Sequence, residues 1–276
     1  MRNRIVITFV VLGLLLAACG PTDPAGAPGD GLSGTISVAG STTVQPLAEE
    51  LAEAFIAIHP GVKIDVQGGG SSVGVKSAGQ GTVDVGMASR EIKSSELTEF
   101  ADLKIWTIAI DGIAIVTHPG VTVGDLTAEQ VRDIFSGKIT NWKEVGGVDR
   151  AIIVVSREEG SGTRGAFEEL VLDKDHLMVD TAILQNSNGA VRTTVATTPD
   201  AIAYLSFGYL DNTTKIVKIA GVEPTTANVL NNTYAIARPM NMLTKGEPQG
   251  AAQAWLEWIL SPAGQAIVGK HYIPVK

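Results

Sequence analysis

Short runs rich in β-branched residues alternate with segments of helical period along most of this chain, which restricts it to a small set of α/β architectures. Residues 35–39 and 62–66 read as strands. Between them Leu47, Leu51, Phe55 and Ile58 recur on one helix face, with Pro46 in the first turn, where its missing N–H is least harmful. The same alternation predicts strands at 83–87, 105–110, 113–117, 152–156 and 202–206. The sheets expected from it are predominantly parallel, and such sheets bind ligands at the carboxyl ends of their strands. Residues 253–268 are expected to form one terminal helix, with Trp255 and Trp258 belonging to the core.

Three stretches rich in Gly, Ser and Thr fall at strand-to-helix junctions. They are Gly40-Ser41-Thr42-Thr43, Gly68-Gly69-Gly70-Ser71-Ser72 and Gly160-Ser161-Gly162-Thr163, the last preceded by Arg157. A helix N-terminus leaves backbone N–H groups without partners and carries about half a positive charge, so it can hold an anion. Hydroxyls add donors that rotate to suit a ligand. Any one stretch is equally well a turn with a capped helix. Three of them, with an Arg beside the third, point to an oxyanion cage.

With 276 residues, 45% apolar and 18% charged, the chain is globular and long enough for a large core or two lobes. Its net charge of −8 argues against a nucleic-acid groove, which needs clustered Lys and Arg. An anion must therefore be held by local donors against the overall field. Cys19 is the single cysteine, which excludes an internal disulfide and a thiolate metal cluster. Arg2 and Arg4 precede an apolar run from Ile5 to Ala18, of signal-peptide length, ending in Leu16-Ala17-Ala18-Cys19. This ending looks like a bacterial lipobox. Residues 1–18 are expected to be a lipoprotein signal peptide, Cys19 the lipidated residue, and 19–33 a flexible tether holding the working part outside the cytoplasmic membrane. The alternative is a plain secretory signal with an incidental cysteine.

Gly70-Ser71-Ser72-Val73-Gly74 matches the G-x-S-x-G pattern of a hydrolase nucleophile elbow, with Ser72 as nucleophile. An elbow needs a histidine base and an acid, and His59, His118, His176 and His271 lie in no distinctive motif. The histidines have no metal-ligand spacing, and the glycine-rich stretch lacks the Lys of a phosphate-binding loop. No catalysis, metal or cofactor is expected.

Several motifs in order carry a resemblance: AGSTTVQP at 39–46, GGGSSVGV at 68–75, VDVGMASRE at 83–91, IFSGKITNWKEVGG at 134–147, REEGSGTR at 157–164 and ILSPAGQAIV at 259–268. Together they resemble the phosphate-binding proteins of ABC-type phosphate importers, the PstS family, over nearly the whole mature chain. The resemblance implies a two-lobed periplasmic-binding fold of type II, with two hinge crossings and the anion between the lobes. It puts residues 34–111 and 233–276 in the first lobe and 112–232 in the second. By motif, Thr42, Thr43 and Ser71 are carried over as first-lobe ligands, with Ser41 and Ser72 as neighbours. Arg157, Ser161, Gly162 and Thr163 come from the second lobe. The stretch around Trp142 is expected to be structural.

One departure concerns selectivity. The best-known branch of the family has an aspartate after the Ala-Ser pair, accepting a hydrogen bond from a phosphate proton; here that position is Arg90. A related branch has Ser-Arg, which implies that Ser89 and Arg90 both donate to the anion. Asp111 is then expected either to supply the acceptor or to brace the hinge. Whether Asn188 and Gly189 reach the ligand or cap a helix is open at this level. Implied partners are inorganic phosphate, the permease subunits of an ABC transporter and a membrane through the Cys19 lipid, with the monomer as default. Competing readings are a receptor for sulfate, molybdate or tungstate, an exported serine hydrolase, and an anchored sensor or adhesion protein.

Overall fold

The computed structural model describes residues 31–172 and 176–275. The expected signal peptide, the lipidation of Cys19 and most of the tether lie outside the described residues. In chain order the first elements are β1 (Gly34–Gly40), α1 (Gln45–Ile58), β2 (Val62–Gly68), α2 (Ser71–Gln80), β3 (Val85–Ala88), α3 (Ser94–Glu99) and β4 (Leu103–Thr117). They are followed by β5 (Asp125–Leu126), α4 (Ala128–Phe135), β6 (Ile153–Arg157), α5 (Gly162–Leu170), β7 (Ile183–Gln185), α6 (Asn188–Thr197) and β8 (Ala201–Ser206). The chain closes with β9 (Lys215–Ile219), α7 (Thr226–Leu230), β10 (Ala237–Lys245), α8 (Gly250–Ile259), α9 (Pro262–Val268) and β11 (Ile273–Pro274).

The strands hydrogen-bond in the order β2-β1-β3-β10-β4-β8-β6-β7, with β11 and β9 also on β4 and β5 on β9. The sheet is mixed rather than predominantly parallel. β1 pairs in parallel with β2 and β3, and β6 with β7 and β8, but β10 and β4 bring antiparallel ladders into the middle. Periodicity reports that a segment is a strand and says nothing of the direction of its partner.

The two strands expected at 105–110 and 113–117 form one strand, β4. Asp111 and Gly112 continue the ladder opposite Arg238 and Ala237 of β10, and beyond them Ile113 pairs with Ser206 of β8. β4 thus leaves one group of strands and enters the other without a break. Beside it Ile113 donates its N–H to the carbonyl of Ile236, tying the returning chain to the outgoing one. The expected terminal helix is two helices. Ser261 accepts from Gly264 N–H at 3.4 Å and caps α9, and Pro262 in its first turn lacks the N–H that would continue α8.

The apolar cores divide at the same strands. One joins Leu47, Leu51 and Phe55 of α1 to Ile36, Val38, Met240, Met242 and Trp255, using residues up to Ala109 and from Met240 onward. Ile58, at the end of α1, is 54% exposed and lies off that face. A second joins Ile113, Ile115, Phe135, Trp142, Phe167, Tyr204 and Val217. There Trp142 is buried and donates Nε1–H to the carbonyl of Asp200 at 3.0 Å, the structural role expected of its motif.

Candidate anion-binding site

Four helices begin where strands end: α1 after β1, α2 after β2, α5 after β6 and α6 after β7. The first junction is close-packed backbone. Gly40 has φ 137°, and a Cβ there would overlap the Met87 carbonyl and Gly74 Cα, so α2 can lie directly on β1 and β3. That packing brings Ser41, Ser71 and Ser89, all buried, into one hydroxyl cluster. Ser41 Oγ donates to Ser89 Oγ at 2.8 Å while accepting from the Thr43 and Val44 N–H groups, and Ser71 Oγ accepts from Ser89 N–H at 3.0 Å.

Residues 157–163 press on this cluster. A Cβ on Gly162 would collide with Ser71 Oγ and Ser89 Oγ, so only glycine admits the start of α5 to this position. Ser161 caps α5 by accepting from Arg164 N–H. Thr163 Oγ1 lies 3.0 Å from Thr43 Oγ1, Ser72 N–H donates to the Gly160 carbonyl at 3.1 Å, and Tyr209 donates to the Thr42 carbonyl at 2.8 Å. These contacts join the two groups of strands face to face.

Arg157 is 1% exposed. Its Nε donates to Glu158 and to the Gln185 carbonyl, while Nη2 donates to Thr42 Oγ1 at 3.0 Å, to Glu158 and to the Asn186 carbonyl. Nη1 is buried and has no hydrogen-bond partner among the described residues. A guanidinium N–H buried without an acceptor is costly unless a ligand supplies one. The ion pair with Glu158 that would explain Arg157 as a mere salt bridge is present, and it leaves Nη1 unused.

Two expected ligands are engaged elsewhere. Arg90 directs Nη1 and Nη2 to the two carboxylate oxygens of Glu96 at 2.8 and 2.7 Å, with a further bond from Nη2 to Ser72 Oγ at 3.3 Å. Burial works to raise the Glu96 carboxyl, but the donors from Arg90 and the Lys93 backbone prevail and hold it below its ordinary value. Arg90, expected to donate to the anion, thus has both terminal nitrogens on Glu96 and lies beside Lys93 and Arg164. Of the two roles expected of Asp111, its bonds fit the hinge brace. Its Oδ1 accepts from Ser206 Oγ and Phe207 N–H, and its Oδ2 from Arg238 Nε and Nη2 at 3.1 and 2.8 Å. Two donors on each oxygen leave nothing for a phosphate proton. Burial pushes the Asp111 carboxyl up and the Arg238 guanidinium down, and each opposes the shift of the other. The third Arg238 nitrogen, Nη1, donates to the Ser89 carbonyl at 2.9 Å, linking the hinge strands to the hydroxyl cluster.

Asn188 is a full member of the cluster. Fully buried, it donates from Nδ2 to Thr43 Oγ1 at 2.9 Å and to Thr163 Oγ1 at 3.4 Å. The signal for it was the Ser187-Asn188 pair opening a fourth helix, weaker than the Gly-Ser-Thr stretches because it lacks their glycines. Around Gly189 an added Cβ would meet nothing closer than 3.9 Å, so no close approach requires that glycine. Ser72 Oγ, the nucleophile of the hydrolase reading, is paired with Arg90 rather than an imidazole. Among the described residues no group of His, Cys, Asp and Glu could hold a metal ion.

Comparison with known proteins fits this arrangement. The family model of the PBP superfamily domain matches residues 25–263. The phosphate-binding protein PstS of Bacillus subtilis (strain 168) is 33% identical over 286 residues, covering 99% of this chain and 95% of its own length. The chain belongs to the PstS family. As a PstS-family member it has the two-lobed type II periplasmic-binding fold, and the family binds its substrate without transforming it. Among solved structures, a phosphate ABC transporter substrate-binding protein from Clostridium perfringens with bound phosphate is 43% identical, with a TM-score of 0.84. The match covers 88% of this chain and 100% of that one. An ABC-type phosphate transport receptor from Vibrio cholerae is 33% identical with a TM-score of 0.74, over 87% and 100% of the two chains.

Proposed function

We propose that this chain captures inorganic phosphate between its lobes and delivers it to the permease of an ABC importer, held at the membrane by a lipid on Cys19. The lobes are residues 34–111 with 233–276, and 112–232. The observation that carries the reading is the unpartnered Nη1 of the buried Arg157. It lies on a guanidinium that already touches Thr42 of the facing lobe, among hydroxyls from both lobes. An always-charged planar donor, several hydroxyls and helix N-termini suit a tetrahedral oxyanion. Ser41, Thr42, Thr43, Ser71, Ser89, Arg157, Ser161, Gly162, Thr163 and Asn188 are the residues assigned to it. Charge-assisted hydrogen bonds contribute on the order of 1.5–3 kcal/mol each, and micromolar affinity needs only about 8 kcal/mol net, so this set suffices after ordering and desolvation. The relatives named for phosphate support the choice of ligand.

The saturated carboxylate of Asp111 favours a second reading, a receptor for sulfate or molybdate, because those dianions bring no proton that needs an acceptor. Calorimetric titration of the tether-truncated protein with phosphate, sulfate and molybdate separates the two. Phosphate is expected to bind most tightly; equal or tighter sulfate binding would replace the first reading with the second. In cells, Cys19→Ser is expected to move the protein from the membrane fraction to the soluble one; unchanged fractionation would refute the anchor.

A further inference from the structure

We infer that Asn188 sets the hydrogen-bond polarity of the Thr43–Thr163 pair, so that the pair offers the bound oxyanion a proton and only one free lone pair and thereby disfavours ligand oxygens that carry their own protons. This rests on the oxyanion reading of the site and adds the residue that governs which protonation state it accepts.

The orientation of the Asn188 amide is fixed by chemistry. Ser206 N–H approaches one end of it at 3.3 Å, and a backbone N–H can only donate, so that end is Oδ1 and the other is the NH₂ group. The NH₂ group then points at both threonine hydroxyls, 2.9 Å from Thr43 Oγ1 and 3.4 Å from Thr163 Oγ1. The hydroxyls are also 3.0 Å from each other, so one donates to its partner. Each hydroxyl has one proton and two lone pairs. The hydroxyl that accepts from its partner has given its other lone pair to Asn188 and can only donate onward, while the hydroxyl that donates keeps one, so Asn188 cuts the pair's free lone pairs from three to one. Helix capping does not account for Asn188, because Ser187 fills that role by accepting from Ala190 N–H at 3.1 Å.

Ser206 also bonds Asp111 through its Oγ, but it holds Asn188 through its backbone N–H, which donates whatever that second bond does. The charged and titratable groups on the elements that meet at Asn188 are Arg157 at the end of β6 and Glu158 just after it, Asp111 on β4, Arg238 on β10, Arg192 on α6, and Tyr209 and Tyr272. Burial pushes both tyrosines up, and none of these groups is a histidine. Between pH 6 and 8.5 phosphate loses a proton and sulfate does not, so sulfate serves as the reference for any change in the protein itself.

Asn188→Ala returns the lost lone pairs to the threonines without adding charge, and Asn188→Asp makes the polarity face the other way. Phosphate and sulfate affinities of the full mature chain and both variants would be measured by calorimetry at pH 6 and pH 8.5, with melting curves to establish folding. The phosphate-to-sulfate affinity ratio is expected to rise about tenfold in Asn188→Ala at pH 6, and by less at pH 8.5, where phosphate carries fewer protons. A further rise is expected in Asn188→Asp; if that variant does not fold, Asn188→Ala decides alone. Loss of both anions by one common factor at both pH values would make Asn188 a packing residue and overturn the inference while leaving the receptor reading intact. A wild-type protein that bound neither anion would overturn both.

Discussion

Arg157→Ala is expected to weaken phosphate binding at least tenfold, a loss of about 1.4 kcal/mol or more. The expectation follows from what Arg157 is already doing in the protein alone. Its Nε and Nη2 are held by Glu158, two backbone carbonyls and Thr42, so the guanidinium is oriented before any ligand arrives and little entropy is lost on binding. Only Nη1 has no protein acceptor, so the ligand contact falls on it. Arg157→Lys is expected to recover little of the loss, since a single nitrogen cannot reproduce the two-nitrogen grip on Glu158 and also reach the anion from the position of Nη1. Glu158 remains one-third exposed and can be hydrated when its partner is removed, so the fold should survive. Calorimetry gives the affinity and a melting curve the control. Near-wild-type affinity in a folded Arg157→Ala protein would remove the observation on which the function rests.

Asp111→Asn is expected to affect stability rather than selectivity. The Asp111–Arg238 pair is completely buried, and taking away one charge leaves the other uncompensated, typically a loss of about 3–5 kcal/mol. For a chain of this size that corresponds to a melting temperature lower by roughly 10 °C. The phosphate-to-sulfate ratio should stay where it was, because the carboxylate oxygens are occupied by Ser206, Phe207 and Arg238. A variant with its melting temperature intact and its ratio collapsed would show the reverse, a carboxylate serving the ligand instead of the hinge.

Those two residues also mark where the sequence was informative. Gly-Ser-Thr stretches at strand ends are local signals, and Ser41, Thr43, Ser71, Ser161 and Thr163 could be found from them because a helix start is written in adjacent residues. Arg157 came with its motif. Arg90 was carried over from a related branch of the family and Asp111 was left between acceptor and brace, and the partners of both lie where sequence alone does not point. Glu96, six residues from Arg90, forms a two-oxygen pair with it, and Arg238, far along the chain from Asp111, neutralises the carboxylate inside the hinge. Neither pairing has a sequence period. The fold shows the same division. Element positions followed from hydrophobic spacing, but the antiparallel ladders of β10 and β4 depend on a strand that returns from the end of the chain, which spacing cannot reveal. The break at Ser261-Pro262 was readable as a cap followed by a helix-starting proline, a pattern that outweighs the apolar period running across it.

A crystal structure of the phosphate complex tests the central claim most directly, through the position of the phosphorus atom. The account predicts phosphate between the lobes, with one oxygen within hydrogen-bond reach of Arg157 Nη1 and others near the Ser41–Ser71–Ser89 and Thr43–Thr163 hydroxyls. Phosphate bound instead at the cleft mouth, on Arg90, Lys93 and Arg164, with Arg157 Nη1 untouched, would contradict it.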